Sequence, residues 1–249
     1  MSILAARCRI NHQAPSGPWY DALFASGEDG LIIDFNDLTT LFQDAAHTVP
    51  VTAVGQSIQA VQDKKNPSTF ATCATGNTLG FDSATGLYYC QYNGLAPMTM
   101  AINSSLGGNL SKSMILACDL TAVSAQKYPV NLGGAGTSNS LFFSFDSSGT
   151  SPSFGQGGAG QSTNPSFNNS SPKGVNIGLK NADVLSYYFD GSVNGAALTA
   201  STANITSLVA TIGGYPYPGY NLTGNIYNFV VVNRVLTSGE IASVSMDAL

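Results

Sequence analysis

The chain has 249 residues, a net charge of −5 and 9% charged side chains, against roughly 25% in an average globular protein. Its 43% hydrophobic content excludes a disordered polar tail and supplies a core. The acidic balance, with no Lys/Arg cluster, excludes nucleic-acid binding, and no apolar run approaches the ~18 residues that span a bilayer.

Residues 1–30 read as an N-terminal arm. Only a stub of apolar residues, Ile3 to Ala6, precedes Arg7, so no signal peptide is expected. Ser16 to Gly27 carries a short helix pattern, with Ser16 as N-cap, Pro18 early in the first turn and Gly27 at the end. Trp19, Leu23 and Phe24 fall toward one side of it, an apolar surface suited to docking on a neighbouring subunit or on the domain itself.

Residues 31–66 form a leader of strand, helix and strand. Leu31 to Phe35 is a strand, Asn36 an N-cap, and Leu38, Leu41 and Phe42 one helical face. The stretch Val49 to Lys64 then turns into a second strand.

Residues 67–249 read as β throughout, making the chain all-β. Candidate strands are Thr69–Cys73, Thr78–Asp82, Leu87–Tyr92, Met98–Asn103, Ser113–Asp119, Leu141–Asp146, Val175–Leu179, Leu185–Phe189, Ala196–Ala200 and Leu208–Ile212. Turn signals such as Gly107-Gly108, Asp190-Gly191 and Asn194-Gly195 separate many of them. The Gly/Ser/Asn-rich stretch Ser147–Pro172 reads as one long loop. Ile226 to Val232, β-branched and aromatic, is a strand with at least one buried face. After it, Thr237-x-x-Glu240 has capping-box spacing and announces a short C-terminal helix with Ile241, Val244 and Leu249 along one side.

The closing sequence Gly224-x-Ile226, Val231, Arg234, Leu236, Thr237, Glu240, Ile241 resembles the end of concanavalin-A-like, laminin-G-type jelly-roll domains. Leu185 to Gly191 is similar to a late strand and turn of the same domains. The resemblance implies a concanavalin-A-like β-sandwich. The leader, "ALFASGEDGLIIDFNDLTTLFQDAAHTVPVTAVGQSIQAVQDK", is similar to that of tailed-bacteriophage structural proteins carrying such a domain, and departs from their pattern at Lys65-Asn66-Pro67. This second resemblance implies a virion protein of the tail, baseplate or capsid decoration, made in the bacterial cytoplasm. Its implied partners are other virion proteins, further copies of itself and host-surface glycans.

The chemistry of the chain favours a non-enzyme. Gly155 to Gly160 fits G-x-G-x-x-G, but Gln161-Ser162-Thr163-Asn164-Pro165 follows where a dinucleotide site needs a helix. The sequence holds two glutamates, Glu28 and Glu240, and Glu240 is expected to cap a helix; a paired-aspartate site stays open, although no two aspartates share a strand face. No catalytic residue, metal ligand or cofactor is assigned, although Asp82, Asp119, Asp146 and Asp190 lie near strand ends where a structural Ca²⁺ would sit. Cys8, Cys73, Cys90 and Cys118 read as small buried thiols, with a Cys73–Cys90 bridge as the alternative. The candidate ligand-binding residues are Tyr215, Tyr217 and Tyr220. They stand in a proline-stiffened loop that offers rigid, amphipathic rings to a sugar or a protein, or else packs on its own strands. A structural protein that binds no sugar is the alternative function.

Overall fold

A computed structural model describes residues 18–120, 126–134, 140–145, 152–157, 161–163, 173–194, 196–199, 204–215 and 219–247. The described strands join into one curled antiparallel sheet whose two halves face each other as a β-sandwich. One half is built on the closing strand, Thr223–Val232, flanked by Gly30–Asp34 on one side and Lys112–Asp119 on the other. Lys173–Asn181 and Val184–Phe189 extend it outward. The other half runs from Ser57–Gln62 through Phe70–Asp82, Met98–Ala101 and Val209–Ile212 to Lys127–Gly133, Ser140–Phe145 and Pro152–Gln156. Leu87–Asn93 pairs with both Phe70–Asp82 and the closing strand, and so carries the sheet around its curve.

The first half is apolar on both faces. Leu31, Ile33, Met114, Leu116, Phe229 and Val231 point into the sandwich, while Ile32, Ile115, Val230 and Val232 point outward into a second apolar layer. Strands buried on both sides read as continuous hydrophobic runs, which is why Ile226 to Val232 carries no alternation. Tyr20 and Leu23 from the arm, with Ile241 and Val244 from the C-terminal helix Ser238–Asp247, cover that outer layer. Each such aliphatic side chain contributes about 1.5–3 kcal/mol by leaving water. The two ends of the described chain thus meet on one sheet face, and Gly30–Asp34 pairs residue for residue with Val232 back to Asn228.

The C-terminal helix begins with the capping box: the Thr237 amide donates to Glu240 Oε2 (2.8 Å), and the Glu240 amide donates to Thr237 Oγ1 (3.3 Å). Leu249 lies outside the described residues. Asp190 and Gly191 both take positive φ, 45° and 76°, as a tight hairpin turn requires. Cys73, Cys90 and Cys118 are buried, and no bridge joins Cys73 to Cys90; Cys8 falls outside the described residues.

Other expectations need correction. The helix expected after Asn36 is a single 3-10 turn, Leu38–Thr40, capped by Asp37 rather than Asn36. Leu41 and Phe42 leave it to pair with Val61 and Ala60, because strand pairing satisfies backbone groups that so short a helix would leave open. The arm's helix is likewise a 3-10 helix, Trp19–Phe24, preceded by Pro18, while Ser16 lies outside the described residues. The expected strands Thr69–Cys73 and Thr78–Asp82 are one strand, Phe70–Asp82, whose register against Ser57–Gln62 shifts partway along. Lys127–Gly133 is a strand that the sequence reading passed over. The long loop contains two strands, Pro152–Gln156 and Gln161–Thr163, paired as a hairpin. Phe154 there is fully buried over Gly178, where a Cβ would come within 2.3 Å of its ring. A Gly/Ser-rich sequence hides such a strand because one phenylalanine anchors it.

Candidate ligand-binding site

On Ser140–Phe145, Leu141, Phe143 and Phe145 enter the core, so Phe142 faces the other way. On Lys127–Gly133, Val130 and Leu132 enter the core, and Tyr128 has the same parity. Strict alternation would bury it too. A register shift between Lys127 and Val130 inserts one residue and turns Tyr128 outward beside Phe142. Pro129 sits within that bulge, a place where a strand tolerates proline.

Tyr215 and Tyr220 arrive from the segment before the closing strand. The base of that segment is pinned: the Gly213 amide donates to Pro129 O (2.6 Å) and the Leu222 amide to Gly213 O (2.9 Å). Asn221 Nδ2 donates to the carbonyls of Gly94 and Leu95, at 3.2 and 3.1 Å. The rings of Tyr128 and Tyr215 lie 4.7 Å apart, Tyr128 and Phe142 5.1 Å, and Tyr128 and Tyr220 5.4 Å, the last two edge to face. Lys127 Nζ donates to Gly219 O (3.3 Å) and closes one side of the patch. Tyr220 is 37% exposed, and the other three rings are half-buried. Burial, with Tyr215 and Tyr220 close by, raises the Tyr128 phenol above its ordinary value, so Tyr128 offers a neutral hydroxyl at neutral pH.

The structure therefore brings Tyr215 and Tyr220 together and adds Tyr128 and Phe142, which sequence reasoning missed. Tyr217 lies outside the described residues. Of the three arm residues expected to dock, Leu23 is 2% exposed and belongs to the chain's own outer core layer. Trp19 and Phe24 are half-buried against the same layer.

The described aspartates Asp82, Asp119 and Asp190 do not gather around one shared centre. Asp82 forms an ion pair with Lys173 and accepts from the hydroxyls of Thr85 and Tyr227. Asp119 shares a cleft of about 230 Å³ with it. Asp190 accepts from the Val175 amide (2.8 Å), and Asp146 lies outside the described residues. Among the described residues no three His, Cys, Asp or Glu side chains cluster as metal ligands would. Burial and the neighbouring Asp82 push the Tyr227 phenol upward, the opposite of what an activated tyrosine nucleophile needs.

No protein-family model matches the chain, and no curated protein matches it. Solved structures do. A Trypanosoma rangeli sialidase in complex with 2,3-difluorosialic acid superposes with TM-score 0.57 at 13% identity, over 88% of this chain and 32% of that one. A structure described as a receptor binding domain gives TM-score 0.61 at 8% identity, over 94% of this chain and 53% of its own. The binding domain of botulinum neurotoxin DC, in complex with rat synaptotagmin II, gives 0.56 at 10%, over 76% and 49%. The chain thus spans about a third of the sialidase and about half of each binding domain. At these identities the likeness establishes the fold, a lectin-like β-sandwich, and carries no activity across.

Proposed function

We propose that the chain is a non-catalytic recognition module that binds a surface glycan through Tyr128, Phe142, Tyr215 and Tyr220. The observation that carries this reading is the patch itself: Phe142, Tyr215 and Tyr220 gathered around Tyr128, which a bulge turns outward, with the loop base tied down. Such rings present flat apolar faces to a sugar ring and phenolic hydroxyls to its edges, with little entropy left to lose on binding. The names of two structural neighbours, a receptor binding domain and a toxin binding domain, are in keeping with recognition by this fold. Both glutamates are engaged elsewhere, Glu28 and Glu240 each holding Arg234. That leaves no free glutamate for glycoside hydrolysis, and so favours binding over turnover.

The setting, the surface of a tailed-phage particle among other virion proteins and copies of itself, rests on the leader's resemblance alone. The test of function is binding to an array of host-surface glycans, comparing the parent chain with Tyr128→Ala and Tyr220→Ala. The competing reading is a purely structural role, with the rings serving to seat a neighbouring virion protein. It predicts a blank array and loss of particle assembly in the same variants.

A further inference from the structure

A second cleft, of about 400 Å³, opens on the outer face of the other half-sheet and lies within the usual size range of small-ligand sites. Its rim is Trp19 and its walls include Asn36, Asp37, Lys64 and Leu87. Asn228 also lines it, and a bulge is the reason. Ile226 and Phe229 both enter the core, so two residues stand between them where alternation allows one. The register against Lys112–Asp119 shifts at this point, and Asn228 comes to face outward opposite Asp34.

Asn228 is 2% exposed, yet its Oδ1 has no hydrogen-bond partner among the described residues. An unmatched buried acceptor costs about 1–3 kcal/mol. The surrounding charges do not answer it, being occupied with one another. Lys64 Nζ donates to Asp37 Oδ2 at 2.7 Å and stands 3.6 Å from Asp34 Oδ2. Asp34 accepts from Tyr20 Oη at 2.7 Å and from the Asn36 amide at 2.9 Å. Above this polar floor the Trp19 ring is braced edge to face on Tyr20, with centroids 5.4 Å apart.

We infer that this cleft is a second ligand site, taking a neutral pyranose that lays its apolar face on Trp19 and donates a hydroxyl to Asn228. An aromatic wall over an unmatched amide suits a ring with one apolar face and hydroxyls at its edges. Two carboxylates against one ammonium leave the cleft net negative, which disfavours an acidic sugar. The site uses none of the tyrosines of the other patch, and it stands or falls separately from them.

Trp19 is the chain's one tryptophan, so its emission reports on this cleft alone. The experiment titrates the full chain with methyl α-mannoside, methyl β-galactoside, methyl β-N-acetylglucosaminide and glucuronate, exciting beyond the tyrosine absorption edge. At least one neutral glycoside should give a saturable change, and glucuronate none. Asn228→Ala should weaken that response by ~tenfold or more, the loss expected for one well-placed hydrogen bond, while Tyr128→Ala leaves it intact. If Asn228→Ala does not fold, Trp19→Ala with binding read by calorimetry takes its place and should lose the heat of binding. Silence toward every neutral glycoside would mean that water alone serves Asn228 and would overturn the inference. A response to glucuronate as strong as to the neutral sugars would overturn it as well.

Discussion

Arg234 Nε donates to Glu28 Oε1 at 2.9 Å, joining residues 206 positions apart in the chain. The same guanidinium reaches the Leu23 carbonyl (3.0 Å) and grips both oxygens of Glu240. One side chain thus locks the arm to the C-terminal helix over the outer core layer. Arg234→Met should lower stability by about 1 kcal/mol, a modest figure because water screens this partly exposed cluster. Urea unfolding would measure it. The Arg234 guanidinium, assisted by the Thr237 donors, overcomes partial burial and pulls Glu240 down to about 2. A carboxylate depressed in the fold stabilises it above its unfolded value and loses that contribution as pH falls toward the folded one. The parent chain should therefore lose stability between about pH 4.5 and pH 2, and Arg234→Met should lose less over that window.

The alkaline limb has the opposite sign. Burial raises the thiols of Cys73, Cys90 and Cys118. Unfolded thiols ionise near ~8.5, so above that pH the unfolded chain binds fewer protons and stability falls. Lys112 works against them. Fully buried and beside Lys180, it is pushed down to about 8, so the unfolded state holds its extra proton up to ~10.4 and rising pH favours the fold. Burial lowers Lys180 in the same sense, but two lysines against three thiols still lose. Thermal melts should show Tm falling above about pH 8.5, and falling more steeply in Lys112→Met.

Gly213 has φ of +81°, and a Cβ there would lie 1.9 Å from the ring of the buried Tyr92. Gly213→Ala should cost about 3 kcal/mol, combining left-handed strain with overpacking. Because this residue begins the segment carrying Tyr215 and Tyr220, near-UV circular dichroism of the tyrosines should weaken along with stability.

What was legible in the sequence was local. The Thr237/Glu240 box, the Asp190-Gly191 turn and the apolar run of the closing strand each signal themselves within a few residues; they announce the last strand and helix, and the family resemblance they carry implied the sandwich. The two proposed binding surfaces were only half legible. Tyr215 and Tyr220 advertise themselves by their loop, but Tyr128 and Asn228 reach their positions through bulges, which break the very alternation by which strand faces are read. Two clues were present: a proline, Pro129, directly before the Val130/Leu132 pattern, and an amide, Asn228, in the apolar run Ile226 to Val232. Neither points outward until the register is known. Leu23 was ambiguous for a related reason, since an apolar helical side has the same pattern whether it covers a partner or its own sheet.

Binding of the pure chain to an array of host-surface glycans, run beside Tyr128→Ala and Tyr220→Ala, tests the recognition reading most directly. The account predicts binding to a defined set of glycans by the parent chain and a loss of ~tenfold or more in each folded variant, the scale of one stacking ring. A blank array for the parent chain, or variants that bind as the parent does, would contradict it.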